Sequence, residues 1–339
     1  MDVYPQVQRG ILQTITIITT DIAIEQCYTY ITMTNVIGDI PLERWRMILM
    51  SIEPNRSSYP CFINADSGAE VARQMEQHML LTTVMGGILA EHPDLSQVRR
   101  ILDVCCGPGS WVLETAFTYP EIEVIGIDGN QNMINYARAQ AHVQGLHNAH
   151  FFVMDIREPL DFPVATFDIV NARFIHFFIS KYEWPYIIKE LARMTTRDGI
   201  IRLTDFDELG VSNSPAHEKM KYLYAQACMR NRQSFHQFYG RSHNGLTPLL
   251  ARFLRDVGCE NIQEQAYILN YSTGHSLAVK NYHNFKMLYK LGQPFLLAMG
   301  VATQEEIDEV YDQMLLEMQT EGFCAHWYFL SAWGNKPGQ

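Results

Sequence analysis

Ile101-Leu-Asp-Val-Cys-Cys-Gly-Pro-Gly-Ser110 is the stretch on which the reading of this chain turns. An apolar strand runs into a glycine turn, and the turn opens a helix. Glycines at 107 and 109 remove the side chains that would hold a ligand away from the backbone. The helix that follows presents unpaired N–H groups at its start. Val124-Ile-Gly-Ile-Asp128 is a second apolar strand, and its terminal carboxylate stands where a cofactor ribose would offer its hydroxyls. Glycine turns alone are common, so the pairing of turn and strand-end carboxylate carries the weight. Together they imply a nucleotide-like ligand.

Working outward, Glu123 to Ile127, Phe151 to Met154, Phe167 to Asn171 and Gly199 to Thr204 join Ile101 to Cys105 as short apolar runs. They read as buried parallel strands. Ser110 to Thr118, Gln131 to Gln144 and Trp184 to Met194 lie between them with helical spacing. The expected fold is α/β, a doubly wound sheet with helices on both faces. Ahead of it, residues 66–92 read as a helix. Ser67-x-x-Glu70 is its capping box, Val71, Met75, Met79, Val84 and Ile88 are its apolar stripe, and Pro93 is its stop. After the fifth strand come an Asp207 to Pro215 loop and helices near Glu218 to Met229 and Thr247 to Val257. A strand follows over Ile262 to Tyr271, then a helix capped by Thr303-x-x-Glu306 and ended by Gly322, then a strand over Phe323 to Trp333. Residues 1–58 are Ile- and Thr-rich and read as helices or a dimer arm.

Nicotinamide and flavin enzymes share this switch point but want G-x-G-x-x-G, and Gly107-Pro-Gly109-Ser-Trp-Val112 lacks the third glycine. Residues 101–110 instead resemble the nucleotide-binding signature of the class I S-adenosylmethionine-dependent methyltransferases, usually an apolar strand, Asp or Glu, then G-C-G-x-G. The match is strong over residues 100–206 and looser beyond, where it resembles bacterial small-molecule methyltransferases. The resemblance implies a seven-stranded, mostly parallel sheet with strands six and seven antiparallel at the edge. It also implies S-adenosyl-L-methionine as cofactor. Asp128 would hold the ribose and Asp155 with Ile156 would bracket the adenine, with Gly129 and Met133 beside them. Asp103, Cys105, Gly107, Pro108 and Gly109 would form the turn, and Asn171 would stand near the methionine end. Cys105 replaces the usual first glycine, so the turn is expected to begin with an ordinary backbone angle. Arg197-Asp-Gly199 replaces the common Pro-Gly-Gly at a turn remote from the cofactor. The expected organisation is an N-terminal helical lid over 1–95, a core over 96–271, a helical insertion between strands six and seven over 272–322, and a last strand and tail over 323–339.

Methyl transfer needs alignment more than a base. His176, just past the fourth strand, is the candidate general base if the acceptor is a hydroxyl. Tyr59, Phe62, Arg173, Phe177, His217, Phe235, Phe238 and Tyr239 are candidates for an acceptor pocket. Asp205 and Asp207 read as a solvated loop, and no metal is expected. The 339 residues are 47% hydrophobic and 12% aromatic, enough for a real core, which excludes a disordered chain. The balance of 26 basic and 37 acidic residues, −11, repels a polyanion. Asn171-Ala-Arg-Phe174 also lacks the Pro-Pro of enzymes that methylate exocyclic base nitrogens, so nucleic acid is not expected as acceptor. The seven cysteines show no C-x-x-C spacing and read as reduced thiols of a cytoplasmic protein. No signal peptide or membrane span is visible. The expected function is methylation of a nitrogen or oxygen, less favourably a carbon, of a small, largely apolar, aromatic molecule in a biosynthetic tailoring role. A nicotinamide oxidoreductase and a methyltransferase for protein or RNA are the competing readings.

Overall fold

The computed structural model describes residues 63, 67–92, 94–236 and 242–338. The expectations for residues 1–58 and for Tyr59, Phe62, Phe238 and Tyr239 fall outside these.

Helix α1 (Gly68–Met85) precedes the sheet. The first half of the sheet alternates β1 (Arg100–Val104), α2 (Ser110–Thr118), β2 (Glu123–Asp128), α3 (Gln131–Gln144) and β3 (Ala149–Val153). The second half brings β4 (Phe167–Arg173), α4 (Trp184–Met194) and β5 (Thr195–Asp205). Strands β3, β2, β1, β4 and β5 lie side by side and parallel. Such strands are covered on both faces, which is why they read as continuous apolar runs rather than alternating ones. Leu102 and Val104 point to one face of β1 and pack with Ile187, Ile188 and Leu191 of α4. Ile101 points to the other face, against Trp111 and Val112 of α2 and Ile134 of α3.

Beyond β5 the chain forms a two-residue strand β6 (Val211–Ser212), then α5 (Pro215–Arg230), α6 (Leu250–Asp256), β7 (Glu260–Asn270), α7 (Ala278–Leu291), α8 (Gln293–Ala298), α9 (Gln304–Glu317) and β8 (Ala325–Asn335). One edge of β8 pairs antiparallel with β5 through Leu330 to Asn335 and with β6 through Ala325 and His326. The other edge pairs antiparallel with β7 along almost its whole length. β8 therefore opposes both neighbours, and β7 runs in the direction of the parallel set. The expected doubly wound sheet is present, with β6 as an unforeseen stub inside what read as a Gly/Ser/Asn/Pro loop. A third cluster unites α1, α5, α7, α8 and α9 over Phe206, Trp327 and Phe329 at one end of the sheet.

Several local expectations are corrected. α1 stops at Gly86, whose φ of 78° ends the helix, and not at Pro93. Its N-cap Ser67 accepts only from the Ala69 amide, because the Glu70 side chain turns inward instead of closing a capping box. Its buried face is not the apolar stripe: Met79 is 53% exposed, while Glu70, Arg73 and His78 are buried. Cys105 does not take an ordinary angle, since its φ is 54°, the left-handed region its replaced glycine would favour. Asp198 adopts the same conformation in the Arg197-Asp-Gly199 turn. The segment Thr247 to Val257 splits into a 3-10 turn and α6. In α9 the Thr303 and Glu306 capping box is fully formed, but the helix ends at Glu317, ahead of Gly322. No helix of the described residues is long and apolar enough to cross a membrane.

Candidate active site

The turn after β1 is fixed by its backbone. Gly107 and Gly109 have φ of 55° and 81°. A Cβ on Gly109 would stand 2.7 Å from both Ala137 Cβ and Phe151 Cε1, so α3 and β3 close in where only hydrogen fits. A Cβ on Gly107 would meet the Gln74 side-chain oxygen, so α1 sits directly on the turn. Asp128 at the end of β2 accepts from the Gly107 amide at 3.0 Å and from the Asn130 amide at 2.8 Å. One oxygen serves each bond, which leaves each a lone pair for a ligand hydroxyl. Burial raises the Asp128 pKa, against the pull of those two amides. Gly129 is exposed beside it, while Met133 and Ile156 are buried beneath. Asp155 is half-exposed and clasped by Arg157. A strained glycine turn with a carboxylate one strand over fits an adenosine-bearing cofactor.

Next to this turn lies a cavity of about 120 Å³. Asp103, Cys105, Cys106, Pro108 and Trp111 form its floor, with Arg173, Phe174, Phe177 and Phe178 at the end of β4. Phe206 and Trp327 wall it, and Glu70, Arg73, Gln74, Gln77, His78 and Leu81 of α1 roof it. Arg73 is bidentate on Glu70 at 2.7 Å and reaches Asn284 of α7 at 3.0 Å, so the buried guanidinium is fully partnered. Asp103 Oδ1 accepts from Asn171 at 2.7 Å, and Asn171 Oδ1 accepts from Arg202 at 2.9 Å. These three are in register across β1, β4 and β5, so one polar row crosses the sheet to Glu91. Burial pushes the Asp103 carboxyl up to about 6, against the nearby Arg173 charge.

The structure thus brings Asp103, Cys105, Pro108, Arg173 and Phe177 together around one space. It separates others from it. Asn171 is fully buried and reaches the cavity only through Asp103. His176 is fully buried one layer out, its ring 3.9 Å from that of Phe177 and its Nδ1 2.5 Å from Asp205. His217 is buried between Ser212 and Tyr289, and burial with nearby Lys221 pushes its pKa down to about 3. Phe235 packs on Trp184 and Phe253 on the α4 side. Asp207 caps the Leu246 and Thr247 amides and is not a solvated side chain. Sequence reasoning missed the roof. Glu70, Arg73, Gln74, Gln77, His78 and Leu81 are spaced at i, i+3, i+4, i+7, i+8 and i+11, a single helix face that its polarity disguised. Among the described residues no group of three or more His, Cys, Asp or Glu is placed to hold a metal ion.

The methyltransferase-domain family model matches residues 101–199, which span β1 to the start of β5. The chain carries a class I methyltransferase domain. The cofactor of this domain is S-adenosyl-L-methionine. The methyltransferase str3 of Strobilurus tenacellus is 30% identical over 82 residues, 24% of this chain and 27% of that protein. Demethylmenaquinone methyltransferase of Geobacillus kaustophilus is 32% identical over 103 residues, 30% of this chain and 43% of that protein. The chain spans between about a quarter and a half of the length of such curated relatives. The crystal structure of YcgJ from Bacillus subtilis superimposes with a TM-score of 0.45 and 16% identity, covering 78% of this chain and 99% of that one.

Proposed function

We propose that the protein transfers a methyl group from S-adenosyl-L-methionine to a nitrogen or oxygen of a small, largely apolar aromatic molecule. The observation that carries this reading is shared lining. Cys105, Cys106 and Pro108 of the nucleotide turn face the same cavity as Phe174, Phe177, Phe206 and Trp327. An acceptor ring held among these aromatics would lie beside the cofactor's reactive end, with water excluded. In this reading Asp128 holds the ribose, Asp155 and Ile156 bracket the adenine, and the Gly107 to Gly109 backbone lies against the cofactor, which supplies an electrophilic methyl when bound.

Nitrogen is the better fit for the accepting atom, because the cavity's imidazole is already engaged. His78 Nε2 is 2.5 Å from Glu114 and its Nδ1 is 3.3 Å from Arg173. His176, the candidate base from the sequence, lies behind Phe177. A nitrogen can lose its proton to solvent after transfer, whereas a hydroxyl wants a base within reach. The test is transfer of labelled methyl from S-adenosyl-L-methionine into a cell extract, resolved into small-molecule and macromolecule fractions. Label in the small-molecule fraction is expected; label confined to protein or RNA would overturn the acceptor class.

A further inference from the structure

Two guanidinium groups face the cavity, and they are not equivalent. Arg73 is spent on Glu70, Asn284 and Gln77. Arg173, the last residue of β4, has no carboxylate within 4.0 Å among the described residues, although Asp103 on the adjacent strand lines the same space. What holds it is neutral: its Nη2 donates to His78 Nδ1 at 3.3 Å, and its guanidinium lies 5.8 Å from the centre of the Trp111 ring. Because arginine can only donate, His78 Nδ1 must be the acceptor, and the proton of that ring sits on Nε2 and is given to Glu114 at 2.5 Å. Glu114 and His78 thus aim the guanidinium into the cavity, where the charges of Asp103 and Glu114 act on it through space but no carboxylate of the described residues contacts it. A half-buried cation of this kind costs free energy unless a ligand completes it.

We infer that Arg173 is the oxyanion receptor of the cavity, that its ligand is a carboxylate, and that His78 of α1 is its positioning residue. This rests on the reading that the cavity receives S-adenosyl-L-methionine. Two sources present the same group there: the α-carboxylate of the cofactor's methionine end, and a carboxylate on the acceptor. A planar guanidinium meets either in the same bidentate manner. Because His78 belongs to α1, the receptor is complete only with that helix seated on the turn.

Calorimetry separates the sources. S-adenosylhomocysteine keeps the α-carboxylate and 5′-methylthioadenosine lacks the whole amino-acid end. If the cofactor is the source, R173M weakens S-adenosylhomocysteine at least tenfold and changes methylthioadenosine less than twofold, with R173K recovering part of the loss. If the acceptor is the source, both adenosine ligands bind R173M as before, but benzoate, titrated with S-adenosylhomocysteine saturating and benzyl alcohol as control, binds the wild type and not R173M. His78→Leu reproduces the Arg173 effect more weakly, and His78→Gln, which can still accept from Arg173 and donate to Glu114, rescues it. Unchanged binding of S-adenosylhomocysteine together with benzoate that does not distinguish wild type from R173M overturns the inference. A wild type that binds no S-adenosylhomocysteine defeats the functional reading instead. Matching far-ultraviolet dichroism shows that each variant is folded.

Discussion

Floor and roof of the cavity are built by different rules. The floor is backbone: a turn with three alternate residues at positive φ, 105, 107 and 109, wedged by Ala137 and Phe151. The roof is a helix whose buried face is charged, pinned by an ion pair between Glu70 and Arg73 and by a hydrogen bond from Arg73 to Asn284, 211 positions away. Local sequence dictates the first, since a glycine and its neighbours decide what angles are open. Partners from the far end of the chain dictate the second. The lesson is that a site's chemistry and its legibility are separate properties.

The difference breaks most visibly at Arg73. Arg73→Met leaves the Glu70 carboxylate buried without its counter-charge and should cost about 3–5 kcal/mol in urea unfolding. Replacing both by apolar residues, Glu70→Leu with Arg73→Met, should recover most of this loss, and a double variant as unstable as the single one would refute the account. Gly109→Ala attacks the floor. It forces a Cβ between Ala137 and Phe151 at a positive φ, a cost of about 2–4 kcal/mol, and should weaken S-adenosylhomocysteine strongly by shifting the turn. Asp128→Asn sharpens the contrast, because it keeps the shape and alters only the acceptor. Loss of charge-assisted bonds to the ribose should weaken S-adenosylhomocysteine by about 10- to 100-fold in calorimetry, and loss of one of the two backbone-amide bonds to Asp128 should cost about 1–2 kcal/mol of stability.

The smallest effect is on pH dependence, where two buried groups work in opposite senses. His217 has its pKa lowered from 6.5 to about 3 by burial and by Lys221, so the unfolded chain takes up a proton that the folded one refuses. Stability from this group is lost as pH falls from 6.5 towards 3. Asp103 is raised by burial from 3.8 to about 6, so its contribution is fully present below 3.8 and is lost as pH rises through 6. Urea midpoints followed between about pH 4 and 7 should therefore lose part of their acid decline in His217→Asn and become steeper in acid in Asp103→Asn. Curves parallel to wild type would refute both assignments.

The same contrast sets what could be read from the sequence. Ser110–Thr118, Gln131–Gln144 and Trp184–Met194 have the bounds their periodicity gave, because each lays one apolar face on a sheet already buried on both sides. The turn and Asp128 were legible for an equally local reason. α1 was found as a helix but turned to the wrong face, because its charges are satisfied by each other and by Asn284, contacts that no window of sequence contains. Cys105 was misjudged because the turn around it, and not its own preference, sets its φ. The aromatics Phe206 and Trp327 went unnoticed as cavity wall, since ordinary core packing would give them the same spacing. His217 and Phe235 were drawn to the pocket by their proximity in sequence to aromatic neighbours, yet they pack against α7 and α6 instead.

β8 has a consequence for the order of assembly. Among the described residues it is the single strand that joins β7 to the rest of the sheet, and it arrives after β7 and three helices have been made. During synthesis β7 has no hydrogen-bonding partner among the described strands, and the outer edge of β5 stays open to them, until residues 325–335 leave the ribosome. The nascent chain therefore carries two unsealed edges of the kind that invite self-association, and a short wait for the last strand, not the making of the nucleotide turn, sets the interval in which a chaperone would matter.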